Sequence, residues 1–252
     1  MVEMTDIGPQ RTDYPKIAFV HIPRTGGVTF GRLLETLYGE GEIANFYGDK
    51  LSSVINDKLD NFLREDKRRK NSFRVLKGHF VYGFDPEIKD ANYVTLLRDP
   101  VDRLVSYYFY ALKERGNYLN GYLTQRRIRL EEFLMSQITV ELDNYQVRAI
   151  SGMSVSERGR VTRDHFQLAR RNLRNQFSVF GITERFGASM ALFAGLFGWE
   201  LPRYVSGNVG DYPKDHNISM RCLDLVSRRN EWDIMLYQEA QELFAARVLA
   251  VS

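Results

Sequence analysis

Lys16-Ile-Ala-Phe-Val-His-Ile-Pro-Arg-Thr-Gly-Gly-Val-Thr-Phe30 reads as an apolar strand that runs into a Gly-rich turn, where a helix begins. A second stretch, Tyr93-Val-Thr-Leu-Leu-Arg-Asp-Pro-Val-Asp-Arg-Leu-Val-Ser-Tyr-Tyr108, repeats the design. Its apolar strand ends on Arg98, and a helix starting at Pro100 carries Ser106. Each is a strand-to-helix unit that offers backbone N–H groups and a cation to an anion. Two such units in one fold suit a nucleotide with phosphates at both ends.

Outward from these stretches the chain keeps alternating the same two elements. Short β-branched or aromatic runs bounded by turn residues predict strands over Lys16–His21, Phe73–Lys77, Tyr93–Arg98 and Phe177–Gly181. Helical periodicity and start signals predict helices over Thr29–Tyr38, Leu51–Arg64, Pro100–Arg115, Leu130–Gln137, Leu142–Ser151, Arg163–Asn175 and Glu184–Phe197. Pro100 suits a first turn, where its missing N–H would have no partner. Ser219 is placed to cap a further helix. Glu231 to Leu249 reads as the last one, with Trp232, Met235, Leu236, Leu243 and Phe244 on its buried side. Strands alternating with helices imply an α/β fold, three-layer α/β/α, with a central parallel sheet covered on both faces. Ligands of such sheets sit beyond the carboxyl ends of the strands, where both quoted stretches put their turns. No repeat, low-complexity tract or linker divides the chain. Residues 1–252 therefore read as a single domain, with 1–15 an N-terminal extension and 16–249 the core.

The bulk numbers agree. A length of 252 residues and a 44% hydrophobic share are ample for a core. No apolar run reaches the roughly 18 residues of a membrane span. The first fifteen residues are polar, with Asp6, Asp13 and two prolines, and lack the apolar stretch of a signal peptide. The single cysteine, Cys222, leaves no intrachain disulfide and no all-cysteine metal site; it reads as a small apolar residue on a helix. These features predict a soluble cytoplasmic protein. The net charge of +3 says little about fold, but its distribution is uneven. Arg158, Arg160, Arg163, Arg170, Arg171 and Arg174 face only Glu157 and Asp164 in their segment. Arg64 to Lys70 and Arg126-Arg127-Ile-Arg129 are basic too. These are either solvated helix faces or a basic rim for a polyanionic ligand. No recognition motif accompanies the charge, so no nucleic-acid partner is expected. No His, Cys, Asp or Glu spacing suits a metal.

The pairing of the two stretches resembles the sulfotransferases that use 3′-phosphoadenosine 5′-phosphosulfate (PAPS). It is most similar to the branch holding the heparan-sulfate 2-O- and 6-O-sulfotransferases and their bacterial relatives. The resemblance runs from about Lys16 to Leu249; its first two motifs are specific and the later ones supportive. It implies a P-loop-like phosphosulfate-binding loop, PAPS as co-substrate, adenosine 3′,5′-bisphosphate (PAP) as product, and a hydroxyl-bearing acceptor. The branch favours a glycan, with lipid or small-molecule alcohols open. Animal members carry a membrane anchor and work in the Golgi. A chain without one fits a bacterial-type member or a trimmed catalytic domain. Oligomeric state leaves no mark in the sequence.

On this resemblance the first loop takes the 5′-phosphosulfate. Gly26 and Gly27 permit close approach and positive φ. The N–H groups of Thr25, Gly26, Gly27, Val28 and Thr29 point at the anion with the helix dipole behind them. Arg24 supplies a full charge, and the Thr25 and Thr29 hydroxyls further donors. The loop is not a true P-loop, because the Gly-Lys-Ser/Thr ending is missing. Relatives usually carry lysine where Arg24 stands. Arginine keeps its proton and forms a planar fork, so Arg24 is kept as the group that neutralises charge on the leaving oxygen. Arg98 and Ser106 match the family's 3′-phosphate pair, with Asp99 and Arg103 as partners that orient Arg98. The alternative for Arg98-Asp99 is a structural ion pair.

A base is needed to take the acceptor's proton, and histidine titrates near operating pH. Of the four histidines, His79 follows a predicted strand in Leu76-Lys-Gly-His-Phe-Val-Tyr-Gly-Phe84. Relatives place a catalytic histidine at the end of the corresponding strand. His21 abuts the loop and either bonds it or ends the strand. His165 and His216 read as surface or supporting residues, and Lys77 and Tyr82 flank the base. Phe180-Gly-Ile-Thr-Glu-Arg-Phe186 resembles a segment near the adenine, which makes Thr183 a candidate. Gly207-Asn-Val-Gly210 resembles a loop that closes over the nucleotide, which adds Asn208. Asn144, Gln146 and Arg148 look like a family signature facing the cleft. The segment Gly116–Arg129 matches nothing in the family, and its composition suits an acceptor-facing loop. The expectation is a PAPS-dependent sulfotransferase. The rivals are a nucleoside-type kinase, which would need the absent lysine-serine ending and a magnesium site, and a non-catalytic PAP-binding module.

Overall fold

Strand β1 (Ile17–Val20) lies in the middle of a five-stranded, all-parallel sheet. The structure is a computed structural model that describes residues 14–48, 57–153, 159–201 and 218–251. The other strands are β2 (Ile43–Phe46), β3 (Val75–Gly78), β4 (Asn92–Leu97) and β5 (Phe177–Ile182), in the order β2-β3-β1-β4-β5. Ile17 pairs with Val75 on one side and Asn92 on the other. Every residue of β1 is fully buried, which is why its sequence is an unbroken apolar run rather than an alternating one.

The period-two pleat sends neighbouring side chains to opposite layers. Ile17, Phe19, Val75, Val94 and Val179 pack on α1 (Gly27–Leu37) and α9 (Phe186–Phe197) through Phe30, Leu34, Met190 and Phe193. Ala18, Val20, Leu76, Leu97 and Phe180 face the other way. They meet α7 (Tyr145–Ser151), α8 (Arg163–Asn175) and α11 (Glu231–Val251) through Val147, Phe166, Leu236 and Phe244. α4 (Pro100–Lys113), α5 (Asn120–Gln125), α6 (Leu130–Met135) and α10 (Met220–Arg229) share a third apolar cluster around Leu104, Leu123, Phe133 and Cys222. α2 (Asp57–Arg64) and α3 (Lys67–Ser72) precede β3. The sheet is thus covered on both faces, as the alternation of elements predicts.

Several boundaries differ from the sequence reading. β2 carries no pattern of its own: four residues at the sheet edge, with Asn45 exposed, alternate too briefly to signal a strand. The helix expected over Leu142–Ser151 is interrupted at Asn144, whose φ of 43° breaks it into a 3-10 turn (Val140–Leu142) and α7. Of Leu51–Arg64, positions 51–56 lie outside the described residues. The segment read as a loop at 116–129 holds α5, with Leu119 and Leu123 buried against the third cluster. Met235 is exposed rather than buried; Asp233, Leu236, Tyr237, Ala240 and Phe244 form the inner face of α11. Arg170 and Arg174 bind Glu239 and tie α8 to α11, so these two belong to packing rather than to a free basic rim. Ser219 does cap α10, accepting from the Cys222 N–H. Among the described residues no helix is long and apolar enough to cross a membrane.

Candidate functional site

Beyond β1, His21-Ile-Pro-Arg-Thr-Gly26 turns the chain into α1. Gly26 adopts a φ of 84°, which costs little without a Cβ. Arg24 adopts a φ of 72°, a left-handed conformation that costs a non-glycine residue about 1–2 kcal/mol. Arg98 Nη1 donates to the Arg24 carbonyl at 3.1 Å and holds that turn in place. Gly27 is needed for space, not for φ. A Cβ there would lie 2.0 Å from His21 Cδ2 and 2.2 Å from its Nε2.

Two expected donors in this loop are used internally. Thr25 is fully buried, and its hydroxyl donates to the Ile22 carbonyl at 2.8 Å, closing the turn. The Thr29 N–H donates to the Gly26 carbonyl at 3.2 Å as part of the first turn of α1. Val28 stands half exposed there. The Gly27 and Val28 amides belong to the first turn of α1, whose N–H groups have no acceptor within the helix. The Thr183 hydroxyl proton is shared between the Thr25 carbonyl (2.7 Å) and the Leu97 carbonyl (2.9 Å). It stitches the end of β5 to the loop and to β4.

Arg24, Arg98 and Ser106 converge. Arg24 Nε donates to Ser106 Oγ at 3.1 Å, and its guanidinium carbon lies 4.5 Å from the centre of the Tyr110 ring, one turn further along α4. Asp99 and Arg103 each have a partner elsewhere. The Asp99 carboxylate accepts from the Asp102 N–H at 2.9 Å and caps α4. Arg103 is buried and donates through Nη2 to the Glu141 carbonyl at 2.7 Å. Gln146 holds the Arg98 backbone: its Oε1 accepts from the Arg98 N–H (3.0 Å) while its Nε2 donates to the Arg98 carbonyl (2.9 Å). Asn144, Gln146 and Arg148 are all buried rather than lining the cleft. Asn144 bonds the Arg229 carbonyl, and Arg148 the Gly159 carbonyl.

His79 follows β3, half buried, with its N–H donating to the Phe46 carbonyl at 3.2 Å. Its ring lies 5.0 Å from that of His21 and 5.0 Å from that of Tyr47. Tyr47 completes the cluster through a 2.7 Å hydrogen bond between its hydroxyl and His21 Nδ1. Burial, helped by His79, Arg24 and Lys77, holds the His21 imidazole well below the ordinary histidine pKa, so it is neutral. Burial and the Glu35 carboxylate push the Tyr47 hydroxyl far up, so it keeps its proton. Tyr47 carries no sequence signal, because it follows the edge strand that has none. Lys77 lies buried beneath α1, its ammonium bound to Glu35 and to the Gly31 carbonyl and 5.9 Å from the centre of the Tyr47 ring. Tyr82 packs on Tyr93 and Phe177. His165 accepts from the Thr162 N–H at the start of α8. Asn208, with the Gly207–Gly210 stretch, and His216 lie outside the described residues. Among the described residues no group of three or more His, Cys, Asp or Glu is placed to hold a metal ion.

Residues 11–180 match the family model described as "Sulfotransferase family". The chain is 24% identical to heparan-sulfate 6-O-sulfotransferase 2 of Danio rerio, in an alignment covering 92% of this chain and 58% of that protein. It therefore spans less than two thirds of that relative's length. Among solved structures it is similar to a mouse sulfotransferase, SULT7A1, complexed with PAP. That match has a TM-score of 0.43 at 14% identity and covers 88% of this chain and 65% of the other. It is also similar to a sulfotransferase from Alicyclobacillus acidocaldarius, with a TM-score of 0.48 at 14% identity, covering 93% and 97%.

Proposed function

The chain belongs to the sulfotransferase family, and on that premise we propose that it moves the sulfuryl group of PAPS to an acceptor hydroxyl, giving PAP and a sulfate ester. The observation that carries the reading is the convergence of Arg24, Arg98 and Ser106 at the carboxyl ends of β1 and β4. Two guanidinium groups, a hydroxyl and the first amides of α1 form a donor set for anions. The group they fit carries phosphate at two places. Arg98 and Ser106 would hold the 3′-phosphate, and the Gly27 and Val28 amides with Arg24 the 5′-phosphosulfate.

PAPS supplies a sulfuryl group already joined to a good leaving group. His79 takes the proton of the acceptor hydroxyl as the new O–S bond forms on the face opposite the leaving phosphate. Arg24 balances the charge that develops on the 5′-phosphate oxygen as its bond to sulfur breaks. His21, neutral and bonded to Tyr47, lies between His79 and the loop without adding a second charge beside the base. A carbohydrate hydroxyl is the favoured acceptor. The support is the similarity to a protein named for 6-O-sulfation of heparan sulfate.

Thermal unfolding with PAP, with ADP, and with ATP plus Mg²⁺ at matched concentrations tests the reading. A ligand at 100 times its Kd stabilises the native state by about 2.7 kcal/mol, several degrees for a domain of this size. PAP alone should produce that shift. Equal or greater stabilisation by ATP plus Mg²⁺ would replace this reading with a kinase-like one.

A further inference from the structure

Two consecutive backbone amides at the end of β4 are held by side chains, and both holders lean on one helix. The Arg98 N–H and carbonyl are bonded to the Gln146 amide at 3.0 and 2.9 Å. The Asp99 N–H donates to Glu184 Oε1 at 3.0 Å. Behind Gln146 stands Asp233 of α11. Its carboxylate accepts from the Gln146 N–H (3.1 Å) and the Val147 N–H (2.7 Å). Asn144, the residue before α7, sits at positive φ and gives that helix no side-chain cap. Asp233 therefore does from another helix what an N-cap residue does locally. Asn144 returns the contact by accepting from the Asp233 N–H at 3.0 Å. Behind Glu184 stands Tyr237, one turn along the same face of α11, whose hydroxyl donates to Glu184 Oε2 at 2.8 Å.

Asp233, Gln146 and Tyr237 are all buried, and polar groups bonded in a buried setting fix geometry more than they add stability. A glutamine that pairs both the N–H and the C=O of one residue acts as a short extra strand, continuing the pairing of β4 past Leu97 to Arg98. The matched family region ends at residue 180, so Glu184, Asp233 and Tyr237 all lie beyond it.

We propose that Gln146 and Glu184, braced by Asp233 and Tyr237 of α11, are positioning residues that aim Arg98 at the 3′-phosphate and so set the preference for 3′-phosphorylated nucleotides. The inference rests on the reading of Arg98 as a 3′-phosphate ligand. All four act through the backbone of Arg98 and Asp99, Gln146 and Glu184 directly and Asp233 and Tyr237 from behind them.

The test is calorimetric titration of the full chain with PAP and with 5′-AMP, which differs only by the missing 3′-phosphate. Two variants are compared with the unaltered protein. Tyr237→Phe removes one O–H and nothing else. Gln146→Glu keeps an acceptor for the Arg98 N–H but sets an oxygen against the Arg98 carbonyl. The expected result is a PAP affinity reduced about tenfold by Gln146→Glu and about threefold by Tyr237→Phe, each within the effect of one hydrogen bond to or beside a charged group. Affinity for 5′-AMP should fall clearly less than affinity for PAP, because Arg98 reaches the 5′-phosphate only indirectly, through the Arg24 turn that it holds. Equal losses for both nucleotides, or unchanged PAP binding in both variants, would overturn the proposal. Tyr237→Phe keeps the test decisive even if Gln146→Glu fails to fold. If the unaltered protein itself binds PAP and 5′-AMP alike, the assignment of Arg98 has failed, and the brace has no 3′-phosphate to serve.

Discussion

Arg24 Nε and Ser106 Oγ lie 3.1 Å apart although 82 positions separate them in the chain. The bond joins the loop after β1 to the first half of α4, and the Tyr110 ring supports the same guanidinium from one turn along. An arginine fork can give Nε to Ser106 and still present its two terminal nitrogens elsewhere, which a lysine ammonium cannot do with the same geometry. Ser106 thus stands against the cation that would face the sulfuryl group, and, in the proposed function, against the 3′-phosphate.

The two residues of the 3′-phosphate site should differ in weight. Arg98→Ala should weaken PAP binding by about 1.5–3 kcal/mol, the range for a lost charge-assisted hydrogen bond, and Ser106→Ala by about 1 kcal/mol. Titration calorimetry reads both. Unchanged PAP affinity in Arg98→Ala would remove that residue from the site.

His79→Ala should separate chemistry from binding. Loss of a general base lowers turnover by about 10²–10⁴-fold, while PAP affinity should stay within about twofold, since no phosphate ligand is removed. Steady-state rates at saturating PAPS, paired with PAP titrations, measure the split. A variant that keeps half its rate would take the base role away from His79.

Gly27→Ala should harm the loop by collision rather than by backbone strain. Its methyl would meet a His21 ring that is stacked on Phe19 and bonded to Tyr47, and so has little freedom to move. Overpacking of this kind costs about 1–3 kcal/mol. Urea unfolding of Gly27→Ala, His21→Ala and the double variant forms a cycle. The glycine substitution should be much cheaper once the ring is gone, and equal costs in both backgrounds would rule out the collision.

The buried neutral His21 should make stability depend on pH. In the unfolded chain its imidazole takes a proton near the ordinary value of 6.5; in the folded protein it resists. The unfolded state then binds more protons below that pH, so stability falls as the solution is acidified. The contribution is complete above 6.5 and is lost at about 1.4 kcal/mol per pH unit on the way down to the folded pKa. Urea midpoints at pH 7 and pH 5 should drop less for His21→Gln than for the unaltered protein. Parallel profiles would show that His21 protonates freely in the fold.

The sheet, the loop after β1 and the Arg98–Ser106 spacing were legible because each depends on neighbours along the chain. Apolar runs such as Ile17–Val20 and Asn92–Leu97 declare buried strands, Gly26 declares a turn, and Pro100 a helix start. Tyr47 was hidden because β2 is too short to show a pattern. The inward turn of the Thr25 and Thr183 hydroxyls was hidden too, since a threonine reads the same whether it meets a ligand or a backbone carbonyl.

What the sequence determined by itself, then, is the kind of fold and which residue types stand at the ends of its central strands, because periodicity and turn chemistry are written in contiguous residues. Only the tertiary structure decided which of those residues meet. Arg24 reaches Ser106, Gln146 clamps Arg98, and Asp233 and Tyr237 stand behind the clamp from the last helix. The physical reason is that these hydrogen bonds join positions far apart in the chain. Each exists only because the layers on either side of the sheet bury enough apolar surface to hold the distant partners in register.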